Sequence, residues 1–154
     1  MQTSTSGDAG PATADPSPSA LSGQCLCGAV TYTSEAEPAF TAVCHCRDCQ
    51  RQTGTAFSVI VGVPAESFEL KGELSEHVTI GEDHGLETKR RFCPACGSPV
   101  MSEADAMPEV VFIKAGTLDD PSWLAPQLEV WGKSAQPWVQ PTEGRPRMER
   151  GPNA

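Results

Sequence analysis

The 154-residue chain carries 20 acidic against 11 basic side chains, a formal net charge of −9. Nucleic-acid affinity rests largely on Lys and Arg neutralising phosphates, so that class of partner is disfavoured, and no stretch approaches the ~20 apolar residues of a membrane span. Seven cysteines without a secretory signature point to metal or redox chemistry, not to a disulfide framework.

Residues 1–21 are mostly Ser, Thr, Ala, Pro, Gly and Asp. Such a segment buries too little apolar surface to offset its ordering entropy and is expected as a disordered tail. It has neither the basic start nor the apolar run of a secretory signal, so a cytoplasmic location is expected. Residues 141–154, rich in Pro, Gly and Arg, are expected as a second tail. The folded unit is then 22–140, an ordinary size for one domain.

Residues 24–33 open with Cys25-Leu26-Cys27 and run into Val30-Thr31-Tyr32-Thr33, which predicts one strand with a CxC at its start. Residues 39–44 predict a second short strand. It delivers the chain to Cys44-His45-Cys46-Arg47-Asp48-Cys49, three thiols and an imidazole that no core periodicity requires. Arg47–Thr53 is free of Pro and Gly and predicts a turn or two of helix, stopped by Gly54. Residues 55–63 give the strongest strand signal, and Pro64 ends it.

Residues 67–71, 75–80 and 87–92 are short and punctuated by Gly72, Gly81 and Gly85, which predicts meander strands. Cys93-Pro94-Ala95-Cys96-Gly97 has the form of a zinc knuckle. Residues 109–115 predict another strand, residues 116–121 a turn, and residues 127–131 a last strand before Pro137-Trp138. No repeat and no long amphipathic helix appears. The fold class is therefore mainly β: a small domain stapled by metal.

A structural zinc takes four ligands, whereas a catalytic one takes three from the protein and keeps an open position. Cys44, Cys46 and Cys49 are close enough in sequence to wrap one ion, leaving one position for water or an incoming thiol. Cys25 and Cys27 would meet Cys93 and Cys96 as a closed four-thiol site, since closing a long loop costs only logarithmically more than a short one. Such a staple adds binding free energy to folding free energy. The alternatives are two separate redox or buried thiol pairs, a second structural zinc completed by His45 or a partner chain, and an iron–sulfur cluster. The iron–sulfur spacing does not fit. His45 sits between two ligands, which favours a place in the second shell or facing a substrate.

Other residues carry bland readings. Trp131 and Trp138 suit core or edge packing better than a pocket. Asp119 and Asp120, between Gly116 and Pro121, suit a turn better than a carboxylate pair. Arg47, Arg51 and Lys114 suit a solvated face better than contacts to the carboxylates of a peptide-like thiol.

At Gly23-Gln24-Cys25-Leu26-Cys27-Gly28-Ala29-Val30, Cys44-His45-Cys46-Arg47-Asp48-Cys49 with Gly54, Arg91-Phe92-Cys93-Pro94-Ala95-Cys96-Gly97-Ser98-Pro99, Ala115-Gly116-Thr117-Leu118-Asp119-Asp120-Pro121, Trp131 and Pro137-Trp138, the chain resembles the glutathione-dependent formaldehyde-activating enzyme family. The resemblance implies a β-rich, Mss4-like (β-tent) fold with two zinc ions. It places Cys25, Cys27, Cys93 and Cys96 on a structural zinc and Cys44, Cys46 and Cys49 on a catalytic one, the same partition as the spacing argument. It implies a carbon–sulfur lyase that joins glutathione and formaldehyde to S-hydroxymethylglutathione. A non-catalytic zinc scaffold of the same fold is the alternative, since motif and fold do not fix substrate. The expected partners are a small thiol such as glutathione and an aldehyde, with no nucleic acid and no membrane.

Overall fold

A computed structural model describes residues 17–151. The expected N-terminal tail lies outside the described residues up to residue 16, and so do residues 152–154. Ten strands form two sheets. A three-stranded antiparallel sheet has the order β1-β2-β5, from β1 (Leu21–Gln24), β2 (Thr31–Ser34) and β5 (Phe68–Lys71). A seven-stranded sheet has the order β10-β3-β4-β9-β8-β7-β6. Its members are β3 (Phe40–Cys44), β4 (Ser58–Pro64), β6 (Ser75–Ile80), β7 (Glu87–Phe92), β8 (Pro99–Ala104), β9 (Val110–Lys114) and β10 (Leu128–Val130). All its pairings are antiparallel except β10 on β3, which is parallel. The α-helix α1 (Arg47–Thr53) follows β3 directly. No helix among the described residues is long and apolar enough to cross a membrane.

Strand side chains alternate between faces, and the large sheet uses that alternation to separate two environments. On one face Val61, Val63, Met101, Val111 and Ile113 pack with Leu21 and Tyr32 of the small sheet and with Val30, forming the main core. On the other face the intervening positions line an open chamber, described below. The β-branched run of β4 thus serves both sides: Val61 and Val63 are core, with Val59 packed against them, and Ile60 lines the chamber.

Three expectations need correction. Residues 24–33 are not one strand. Gly28 takes φ 80°, Cys25 N–H donates to Val30 C=O, and the stretch turns the chain from β1 into β2. The β-branched run that suggested a strand does form β2, but the CxC and Gly28 before it mark a reversal. The strand β8 was not expected at all, because Pro99 and the mixed Ser102-Glu103-Ala104 mask its alternation; its inward residues Val100 and Met101 are buried. Residues 141–151 were expected as a tail but lie along β10. Glu129 N–H donates to Pro146 C=O, Met148 N–H donates to Glu129 C=O, and Arg147 forms a parallel bridge with Glu129. The segment is polar because its partner is a buried carboxylate, not because it is solvated.

Candidate metal centres and the chamber beside them

The seven cysteines form two clusters, and within each the sulfur atoms lie within 4.8 Å of one another. Cys25 and Cys27 come from the β1–β2 turn, and Cys93 and Cys96 from the turn between β7 and β8. The second turn is closed by Gly97 N–H to Cys93 C=O at 2.8 Å, with Gly97 at φ 79°, the left-handed region that suits glycine. The sulfur separations are 3.7 Å for Cys25–Cys27 and 3.8 Å for Cys27–Cys93. Zinc–sulfur bonds of about 2.3 Å in a tetrahedron place sulfur atoms ~3.8 Å apart, so this donor set fits the zinc that the resemblance implies. Backbone N–H groups aim at these sulfurs, from Val30 to Cys25 at 3.3 Å and from Ala95 to Cys93 at 3.4 Å. Ser98 hydrogen-bonds Cys96 and helps push its thiol down to about 5.

The other cluster is Cys44, Cys46 and Cys49. Cys44 ends β3, Cys46 caps α1 by accepting Cys49 N–H at 3.2 Å, and Cys49 lies on the first turn of that helix. A thiol stands here in place of the usual Ser or Asp cap, since an N-cap needs only an acceptor side chain. Hydrogen bonds from Cys44 and Cys46 hold the Cys49 thiol well below its ordinary range, and the charges of Lys114 and Arg90 act in the same direction. The Cys44 thiol is pushed well above the ordinary range, first by Cys46 and then by Cys49. Neighbouring thiols cannot all ionise without a cation between them. The trio has the chemistry of a metal site with three protein ligands.

The trio opens into a chamber of about 770 Å³, within the roughly 300–1,000 Å³ of small-molecule sites. Ile60 of β4 with Ala42, Phe112 and Lys114 of its neighbouring strands forms its floor, and Trp131 and the loop around Glu82 form its rim. Two cations stand beside the thiols. Arg90 Nη1 donates to Cys49 Sγ at 3.6 Å and Arg90 Nε to Thr79 Oγ1 at 2.9 Å. Lys114 is 6% exposed and donates to Ser58 Oγ at 2.9 Å. Burial lowers the Lys114 pKa, while Cys49 opposes that shift.

His45 does not face this chamber. It alternates with Cys44 and Cys46 and points to the opposite side, where it is fully buried and pairs through Nε2 with Glu129 Oε1 at 2.7 Å. Arg147 Nε also reaches Glu129 Oε1 at 2.8 Å, and Arg145 reaches Oε2 at 3.4 Å. His45 was expected in the second shell or facing a substrate; the structure turns it away from the chamber, where its bond to Glu129 holds β10 beside the strand that presents the trio. Trp131 packs, partly buried, against Cys44, Cys49 and Val130 and also lines the chamber, and Trp138 is 70% exposed. Asp119 accepts Ser22 Oγ, and Asp120 accepts from Ser122 within the turn, as turn residues do. Arg47 lines the chamber and bonds Gln50, Arg51 stays exposed, and Lys114 is buried instead of solvated. Arg90 was missed as a site residue. In the sequence it is one of three consecutive basic residues, and only the register of β7 against β6 and β8 turns it inward.

The described chain has a TM-score of 0.51 against a Rhodobacter sphaeroides protein solved by crystallography in a structural-genomics programme. The two are 23% identical, and the match covers 64% of this chain and 88% of the other, a likeness of fold. No curated protein matches the sequence. The model of the family described as glutathione-dependent formaldehyde-activating enzyme matches residues 20–134, a span that holds both cysteine clusters. The chain belongs to the glutathione-dependent formaldehyde-activating enzyme family.

Proposed function

We propose that the protein is a zinc-dependent carbon–sulfur lyase that adds a thiol such as glutathione to an aldehyde such as formaldehyde. The observation that carries this reading is the asymmetry of the two clusters: the four-thiol set has a full tetrahedral complement, while the three-thiol set opens into the chamber. On this reading Cys25, Cys27, Cys93 and Cys96 hold a structural zinc and Cys44, Cys46 and Cys49 the catalytic one. Zinc bound by three thiolates supplies a Lewis-acid position that lowers the pKa of a coordinated thiol.

The chain's own residues set up the rest. Arg90 and Lys114 add positive charge beside the trio and favour the thiolate over the thiol. Lys114 Nζ uses one N–H on Ser58 and has others for an oxygen that gains negative charge. The largely apolar lining lowers the local polarity, which strengthens these charge interactions. In the overall step a carbon–sulfur bond forms, the carbonyl π bond opens, the thiol loses a proton and the new hydroxyl oxygen gains one. No oxidant is needed.

The test is magnetisation-transfer NMR of the exchange between free formaldehyde and its glutathione adduct. The expected result is a faster exchange with the zinc-loaded protein, abolished in Cys46→Ser. Exchange no faster than in buffer, for any thiol offered, overturns the assignment.

A further inference from the structure

The chamber floor is laid out in rows that lead away from the trio. Cys44 and Ser58 pair in the first row, Ala42, Ile60 and Lys114 form the second, and Phe40, Gly62 and Phe112 form the third. Four residues of strand separate Cys44 from Phe40, a trough about 14 Å long at ~3.4 Å per residue. Gly62 is what lets the third row lie flat: a Cβ there would come within 2.5 Å of the Phe40 ring. Phe40 and Phe112 meet across it, with ring centroids 5.9 Å apart.

Charge is distributed unevenly around this trough. Arg90 and Lys114 approach it beside the thiols, and neither forms an ion pair with a carboxylate among the described residues. On α1, next to the trio in sequence, Arg47 and Asp48 also line the chamber, Arg47 bonded to Gln50, while at the rim Glu82 pairs with Lys133 and Arg150, and Asp83 pairs with Arg150. Glutathione carries two carboxylates and an ammonium group. Arg47, Arg90 and Lys114 can meet one carboxylate near the trio, but beyond Lys114 the floor rows of Ala42, Ile60, Phe40, Gly62 and Phe112 offer charged groups no partner, and burying them unpaired there is costly. A single-carbon aldehyde fills little of the space.

We propose that the chamber is built for a thiol, or its aldehyde adduct, with an apolar and extended body. The anionic sulfur sits at the Cys44–Cys46–Cys49 end beside Arg90 and Lys114, and hydrocarbon lies over Ile60, Phe40 and Phe112. This rests on the thiol-binding reading above and narrows it from glutathione to an apolar thiol.

The experiment is calorimetric titration of the zinc-loaded full chain with mercaptoethanol, butanethiol, hexanethiol and glutathione. Affinity should rise about fourfold for each methylene added until the trough is full, and hexanethiol should bind at least tenfold more tightly than glutathione. Phe112→Ser and, independently, Ile60→Ser should flatten the dependence on chain length, with retained metal content showing that each variant is folded. Equal affinity along the alkyl series, or tightest binding by glutathione, overturns the apolar assignment while leaving thiol binding intact. If no thiol binds and none alters the absorption of the cobalt-substituted protein, the thiol-binding reading itself fails, and this proposal with it.

Discussion

Cys44, His45 and Cys46 illustrate how one backbone alternation sends neighbouring side chains to different tasks. The thiols face the chamber and the imidazole faces Glu129, which is 2% exposed and shared with Arg145 and Arg147. Removing one partner of a buried ion pair strands the others, typically at a cost of ~3–5 kcal/mol. Glu129→Ala should therefore destabilise the protein by roughly 3 kcal/mol in urea titrations. Burial pushes the Glu129 carboxyl up, but His45 and Arg147 outweigh it and hold it below its ordinary 4.5. The carboxylate is thus favoured by folding, so its contribution is present above pH 4.5 and is lost as pH falls through the depressed value. Glu129→Gln should show a shallower loss of stability than the parent across that acid window, measured by urea midpoints at stepped pH. The thiol cluster was legible in the sequence because its spacing serves no other purpose. The direction of His45 was not, since its partner lies 84 positions away.

At the scale of elements, the trio depends on how α1 begins and ends. Cys46 caps its start, and Gly54 at φ 71° ends it, donating to Gln50 C=O at 2.9 Å. A side chain at Gly54 would meet nothing within 4 Å, so substitution there isolates the backbone term. Gly54→Ala should cost about 1–2 kcal/mol, the penalty of a left-handed L-residue, in thermal or urea unfolding. Gly23 is the opposite case: a Cβ would lie 2.2 Å from the Tyr32 hydroxyl and 2.4 Å from Thr117 C=O. Gly23→Ala should cost more, about 1–3 kcal/mol as overpacking, and should break the Tyr32–Thr117 hydrogen bond of 2.7 Å that ties the small sheet to the turn after β9. The helix stop at Gly54 and the strand stop at Pro64 could be read directly, because glycine and proline act locally. The β1–β2 reversal could not, because a glycine within a β-branched run signals either a turn or a close approach. β8 was hidden for a different reason: Ser102 faces the chamber and Glu103 pairs with Arg91, so its pattern lacks a wholly apolar face.

For the whole molecule, the two clusters should differ in what they hold together. The four-thiol set joins the β1–β2 turn of the small sheet to the β7–β8 turn of the large one, whereas the three-thiol set sits on one sheet and the helix beside it. Structural zinc contributes about 10–16 kcal/mol in small zinc domains, as much as a domain's net stability. Graded chelation should therefore remove the trio's metal first with little change in circular dichroism, and the second with cooperative unfolding. Cys93→Ser should leave no stable fold, while Cys46→Ser should retain the fold and half the metal. This division followed from counting ligands in the sequence. The apolar chamber beside the trio did not, because it arises only when seven strands are set in register and alternate residues turn to one side. The central claim is that a thiol completes the trio's coordination, and X-ray absorption at the zinc edge measures that directly. Seven cysteines over two ions give an average near 3.5 sulfur neighbours per zinc. Addition of the thiol should raise that average to about 4, and an average that stays near 3.5 at saturating thiol would contradict the account.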